Sequence, residues 1–363
     1  MDPAPNARPP VNWRLREATA ADQPGILALR EQVFQVEDPE KRDPEFWQWE
    51  FAEAPAGHAR LFVAVDGERI VGHYGVIPQR FLLSGQEVRG SIVVDVMTHP
   101  DYRFQGMFKK IGRYALAAVA DEIAFATGYP IRKEVMPGHL SIGWTAHLKI
   151  PVLVRPLHLG ALARRFGIPG GALLDACAAQ VRRLAQSLRR DHRPGAVIGT
   201  LGESDVAAMA DVARQAYFDV DNVQVRDAAF LGHRYFQSPV WRYRITGIHL
   251  DGRLLAWTAV RDASLLATPS LAIVDLACLP GEDDALDTLL RHELAAGHAR
   301  GLATAGAMIT RGHRHYRALR RAGLLPGPHR FTLILYRTRT DATPNPADHS
   351  KRWFLTWGDT DDV

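Results

Sequence analysis

Arg103, Gly106, Lys109 and Lys110 fall within one short stretch, RFQGMFKK. It lies between a β-branched run, IVVDVMT (92–98), and an amphipathic stretch with apolar residues at Met107, Ile111, Tyr114, Ala115 and Ala118. The chemistry that this order suits is anion binding. A strand, a short loop and a helix start bring unpaired backbone N–H groups and the positive end of a helix dipole to one point, where a phosphate is stabilised. Gly106 allows close backbone approach, and the cationic side chains add charge. Neither GxxxxGK[ST] nor GxGxxG occurs, so this is neither a nucleoside-triphosphate loop nor a dinucleotide fingerprint.

Asp95 is an acid in mid-strand among valines, where desolvation would raise its pKa towards that of a useful base. The same residue type recurs in a second copy, which fits a structural hydrogen-bond acceptor as well. Other chemistries are not supported. HELAAGH (292–298) spaces its histidines by six rather than four, and GHLSIG (138–143) has one residue too many before Ser141 for a nucleophile elbow. Cys177 and Cys278 are the two cysteines, with no CxxC or Cys/His cluster, so neither a disulfide framework nor a zinc site is expected. RGHRHYRALRR (311–321) reads as a solvated helix face, and Trp47 and Trp49 read as core.

The elements that must position the loop repeat along the chain. FWQWEFAEAP (46–55) is echoed by FLGHRYFQSP (230–239). VAVDGERIVGHYGVI (63–77) is echoed by IHLDGRLLAWTAV (248–260), each two β-rich runs joined by an Asp-Gly turn. IVVDVMTHP (92–100) matches AIVDLACLP (272–280), with Asp95 against Asp275, and LSIGW resembles LRRAGL, each leading into a β-rich run, PVLVRP and FTLILYR. Each half therefore reads helix, hairpin, strand, helix, strand, helix, strand. In the second copy the loop is GEDDALD, where Glu282, Asp283 and Asp284 would repel a phosphate.

With 363 residues and 47% hydrophobic content, the chain is long enough for two cores. The expected division is a disordered Pro-rich tail (1–12), a first domain (13–157), a connecting helix and linker (158–195), a second domain (196–340) and a tail (341–363) whose Trp353, Phe354 and Trp357 dock onto the body. A net charge of +4 is too mild to argue for nucleic acid, and no apolar run is long enough for a membrane span. The opening residues lack a signal peptide's apolar core, and cytoplasm is the expected compartment.

The strand, the turn and the loop Arg103-Phe104-Gln105-Gly106-Met107-Phe108 resemble motif A of the GNAT superfamily of acyl-CoA N-acyltransferases, an R/Q-x-x-G-x-G/A loop opening a helix. Phe108 stands at the position of the last Gly or Ala, and Ile131 and Arg132 stand where an Asn is often found. The stretch ATGYPIRKEVMPGHLSIGWTAH is similar to the family's next strand and helix. The resemblance implies an α/β fold with a mixed α+β sheet, in two tandem GNAT-like domains, each a mixed central sheet flanked by helices. It implies transfer of an acyl group, acetyl first, from acetyl-CoA or another acyl-CoA to a small-molecule or sugar amine by direct attack. Val96, Met97, Thr98, Arg103, Phe104, Gln105, Gly106, Met107, Phe108 and Lys109 would bind the cofactor. His139 takes the place of a Tyr that often serves as general acid, Asp95 is the candidate base, and Glu134 and Tyr129 are weaker candidates. The alternatives are an aminoacyl or peptidoglycan-type transferase that does not use CoA, and a non-enzymatic ligand-binding module.

Overall fold

The computed structural model describes residues 12–34, 39–160, 195–265, 267–339 and 344–361. The expected linker helix, with Cys177, and nearly all of the N-terminal tail lie outside the described residues. The chain forms two compact units. The first comprises Met1–Lys149, Gln237–Trp241 and Thr332–Lys351, and the second Ile150–Phe236, Arg242–Phe331 and Arg352–Val363.

In the first unit, β1 (Arg14–Glu17), β2 (Arg60–Asp66), β3 (Arg69–Leu83) and β4 (Gln86–Thr98) form an antiparallel series, and β5 (Phe125–Gly128) adds in parallel. Parallel addition needs a crossover, and α3 (Met107–Ala118) supplies it. Its buried residues Met107, Ile111, Ala115 and Leu116 recur at helical spacing and meet Phe62, Tyr74 and Trp144 in the core. Gly112 faces that core without a side chain, because a Cβ there would come within 2.7 Å of Ile142 Cδ1. The opposite face of the sheet carries α1 (Gln23–Phe34) and α2 (Pro44–Trp47), which is capped by Asp43 and continued by a π turn, Gln48–Ala52. Trp47 and Trp49 are buried there, as expected.

In the second unit, β7 (Val197–Thr200), β9 (Arg244–Leu250), β10 (Arg253–Leu265) and β11 (Thr268–Cys278) are antiparallel neighbours, and β12 (Thr304–Met308) adds in parallel to β11. The unit limits differ from sequence order at the last strand of each repeat. Residues 334–337 of β13 (Leu325–Arg337) pair antiparallel with β5 in the first unit, whereas residues 152–156 of β6 (Thr145–Pro156) pair antiparallel with β12 in the second. Each parallel strand thus has its outer edge covered by a run from the other half of the sequence, which removes an open sheet edge.

The aromatic tail is packed. Trp353 and Phe354 form a short strand, β14, parallel to β8 (Asn222–Gln224), and residues 353–360 are buried in the second unit. No helix among the described residues is long and apolar enough to cross a membrane.

Candidate functional site

In the first unit, β4 outruns its neighbour. It pairs with β5 at Ser91↔Ala126 and Ile92↔Thr127, β5 ends at Gly128, and β4 continues to Thr98. The outward-facing N–H and C=O groups of β4 near Thr98 therefore lie beyond the end of β5. The ladder with β3 is also interrupted: His73↔Met97 is followed by Gly75↔Val94, a bulge that sets two residues, Asp95 and Val96, against one. Asp95 adopts a left-handed φ of 49°, which in a non-glycine residue costs roughly 1–2 kcal/mol.

From Thr98 the chain turns through Pro100–Tyr102, held by a 2.7 Å hydrogen bond from Tyr102 Oη to Asp66, into the loop and α3. Phe104 (φ 66°) and Gly106 (φ 77°) are both left-handed. Alternation of handedness turns successive N–H groups towards a common point, and Gly106 is the N-cap of the helix. Trp13 Nε1 donates to Gln105 Oε1 at 3.3 Å, and Lys110 lies over the Trp13 ring. The loop is thus fastened on both sides.

A cavity of about 800 Å³ opens on this loop. Val96 and Thr98 of β4, Arg103, Phe104, Gly106, Met107, Phe108 and Lys109 line it, so eight of the residues expected to bind cofactor are brought together there. Met97 points into the core at 0% exposure, as strand alternation requires. Gln105 is engaged by Trp13. Phe108 does not crowd the loop: it lies on Gly138, where a Cβ would come within 2.6 Å of its ring, and edge-on to His139. A large residue at this position is matched by a glycine opposite.

The two acid–base expectations change. For Asp95, burial pushes the pKa up, but the adjacent Arg30 guanidinium, Lys41 and His73 together outweigh it, so the carboxyl is held below its ordinary value. This corrects the expectation of a raised pKa: Asp95 is a fixed anion in an ion pair with Arg30, ill suited to take up a proton. His139 is buried against Phe108 and Trp144, and burial lowers its pKa to about 4. It is neutral at neutral pH, so it cannot act as an imidazolium donor, and it is not among the residues lining the cavity. Tyr129 is buried, while Glu134 lines the cavity.

Sequence reasoning missed Val33 and Phe34 at the end of α1, Tyr102, Val135 and Gly138, all of which line the cavity. Arg132, noted only as a departure from the family pattern, lines it as well, with its guanidinium over the Phe34 ring. No group of three or more side chains suited to a metal occurs among the described residues.

The corresponding place in the second unit is built differently. Helix α4 (Asp283–Ala299) starts with Asp283 and Asp284 in its first turn, and Arg314 approaches Asp283 at 4.0 Å. Its positive end is therefore met by the chain's own carboxylates. β11 also outruns β12, but Thr310 N donates to Leu355 O, Ile309 bridges Thr356, and Thr356 Oγ1 donates to Asp275 at 3.0 Å. The C-terminal segment thus lies in the space beyond β12. Asp275 is fully buried, paired to Arg226, which also holds Asp359 at 2.8 Å. The basic stretch 311–321 is only partly a solvated face, since His315 is fully buried.

Residues 14–145 match the family model described as an acetyltransferase (GNAT) domain. Solved structures align over most of the chain. A probable N-acyltransferase from Enterococcus faecalis shares 12% identity at a TM-score of 0.62, covering 90% of this chain and 72% of that one. A GCN5-related N-acetyltransferase from Anabaena variabilis shares 11% at 0.61, covering 90% and 73%. The Saccharomyces cerevisiae N-myristoyltransferase with bound myristoyl-CoA shares 13% at 0.61, covering 96% and 86%. No curated protein matches by sequence. With this loop geometry and this topology, residues 14–145 are a domain of the GNAT superfamily, and the fold of that superfamily runs through the chain as two GNAT-like units.

Proposed function

We propose that the protein is an acyl-CoA-dependent N-acyltransferase that binds its cofactor in the first unit and transfers the acyl group, acetyl in the first instance, to a primary amine of a small molecule or sugar. The observation that carries this reading is the cavity running from the outrunning end of β4 to the cationic N-terminus of α3. The pyrophosphate would be held by the N–H groups around Gly106 and by Arg103 and Lys109. The pantetheine arm is an extended diamide, suited to the backbone groups of Val96–Thr98 beyond β5. The relatives named above, acyltransferases by title and one holding myristoyl-CoA, support acyl-CoA as co-substrate.

In the reaction the neutral amine attacks the thioester carbonyl. A C–N bond forms, the C–S bond breaks, CoA leaves as thiolate, and the amine's surplus proton ends on that thiolate through solvent. The chain contributes binding and orientation, which converts a bimolecular encounter into reaction within one complex. Glu134 puts a carboxylate on the cavity wall, which favours an incoming cationic amine over an anion before it is deprotonated. Asp95 and His139 are left without a direct proton-transfer role. The second unit is proposed to bind no CoA, because its helix start is acidic and its C-terminal segment occupies the equivalent space.

The test is calorimetry with acetyl-CoA and longer acyl-CoAs, followed by thiol release in the presence of amines. One acyl-CoA site per chain and amine-dependent thiol release are expected. Absence of acyl-CoA binding would overturn the reading.

A further inference from the structure

Part of the cavity wall is not supplied by the cofactor loop or by β4. Val33 and Phe34 come from the end of α1, and Arg132, Glu134 and Val135 from the stretch that follows β5. Arg132 and Glu134 stand two residues apart in one tight turn, closed by a 3.3 Å hydrogen bond from Val135 N to Arg132 O, so both side chains rise from one short piece of backbone. The Arg132 guanidinium lies over the Phe34 ring, 5.0 Å from its centroid. The guanidinium of Arg30, tied to Asp95, lies over the same ring at 4.8 Å, so this support is itself anchored. A guanidinium can rest its face on an aromatic ring and still fork onto a carboxylate through its in-plane N–H groups.

Among the described residues, the charged groups lining the cavity are Arg103, Lys109, Arg132 and Glu134. Arg103 and Lys109 flank Gly106 and are assigned above to the pyrophosphate. One cation and one anion remain, side by side in the turn after β5. A plain amine would answer only the anion, and a sugar amine would bring hydroxyl groups to the cation. A molecule with an ammonium group and a carboxylate close together answers both. Val33, Phe34 and Val135 make the rest of this wall apolar, which suits an aliphatic side chain.

We infer that the acceptor is a free α-amino acid with an aliphatic side chain: Arg132 binds its carboxylate, Glu134 meets its ammonium group, and Val33, Phe34 and Val135 receive its side chain. The inference rests on the proposed acyl-CoA-dependent transfer and narrows its acceptor. The ammonium group loses one proton to solvent before its nitrogen attacks the thioester carbon. The C–N bond forms, the C–S bond breaks, and a second proton from that nitrogen ends on the departing CoA thiolate. The product keeps the carboxylate but not the ammonium charge. Glu134 then faces a neutral amide, so product is held less tightly than substrate.

The test is thiol release from acetyl-CoA by the full chain with leucine and with leucinamide, which lacks the carboxylate charge. The amine of leucinamide is the more readily deprotonated, so intrinsic reactivity alone would favour the amide. In the wild type kcat/KM should instead favour leucine about tenfold, the equivalent of one charge-assisted hydrogen bond. Arg132→Gln should erase that preference by raising KM for leucine about tenfold, while the affinity for acetyl-CoA, read by calorimetry, changes less than about twofold. Arg132→Lys, which keeps the charge without the fork, should retain part of the preference. Leucinamide or glucosamine outperforming leucine in the wild type overturns the inference while leaving acyl transfer intact, and this comparison needs no variant. Loss of acetyl-CoA affinity in Arg132→Gln also overturns it, since Arg132 would then serve the phosphates. Absence of acetyl-CoA binding in the wild type overturns the proposed function and this inference with it.

Discussion

Two strands, β4 and β11, end in the same way and lead to different things. Both carry a bulge beside an aspartate, both outrun a parallel neighbour, and both are followed by a helix. At β4 the aspartate is left-handed, its partner Arg30 comes from α1, and the space ahead is a cavity with a basic rim. At β11 Asp275 is not left-handed, its partner Arg226 bridges it to Asp359, and the chain's own C-terminal segment lies ahead. One residue shows how local the difference can be. At the offset of 180 that relates Asp95 to Asp275, Thr310 corresponds to Pro130. Thr310 N donates to the tail, and a proline has no N–H to offer in the first unit. The same fold can keep a groove for a ligand or fill it with its own chain, and a few polar residues decide which.

The comparison is broken most severely at the loop. Gly106→Asp places a side chain on a left-handed N-cap and a negative charge where the phosphates would lie. Acyl-CoA affinity should fall on the order of a hundredfold or more, while Asp283→Arg creates no second site. Titration calorimetry reads both, and two equivalent sites per chain in the wild type would defeat the asymmetry.

Removing Arg226 attacks the filled groove instead. Arg226→Ala leaves Asp275 and Asp359 buried side by side without their cation, and should cost about 3–5 kcal/mol of stability. Burial of Asp359 already pushes its pKa up, with Asp275 adding to the rise and Arg226 opposing it, so the loss should be smaller in acid. Chemical denaturation at pH 5 and pH 8 measures it. A loss below about 1 kcal/mol at both pH values would show that the tail does not depend on the triad.

A finer probe is Gly358→Ala, since a Cβ there would come within 2.5 Å of Tyr235 Oη and 3.0 Å of Asp275 Oδ2. A destabilisation of about 1–3 kcal/mol follows from overpacking. Limited proteolysis after Lys351 should quicken in this variant; unchanged cleavage and melting would mean that the tail sits less tightly than drawn.

The smallest effect is a pH slope shared by both units. His139 and His313 are each lowered to about 4 by burial. A histidine whose folded pKa lies below its unfolded value of about 6.5 takes up its proton first in the unfolded chain. Stability is therefore full above about pH 6.5 and falls as pH drops towards 4, by up to about 1.4 kcal/mol per pH unit for each such group. His139→Phe should flatten the slope by one proton, as read from denaturation at several pH values. An unchanged slope would mean that His139 is not buried as a neutral ring.

Much of the site was legible in the chain because it is local. A β-branched run, a glycine that must adopt positive φ and a helix with apolar residues at i, i+4 and i+8 lie within 27 consecutive residues, 92–118, and their order alone predicts an anion-binding corner. What could not be read was every property set by partners far away. Asp95 looked like a base because only its valine neighbours were in view; Arg30, 65 positions earlier, together with Lys41 and His73, reverses the sign of the shift. Phe108 looked like a misfit until Gly138 faced it.

The sequence by itself determined the repeat, the loop with its charge, and the acidity of the second copy, because these rest on nearest neighbours and on periods of two and three to four residues. Tertiary structure alone decided which run closes each sheet, where the tail lies, and which of two equivalent grooves stays open. Strand pairing is non-local, and an edge accepts whichever segment satisfies its N–H and C=O groups, so 334–337 could meet β5 and 355–356 could meet 309–310 without any mark in the local pattern.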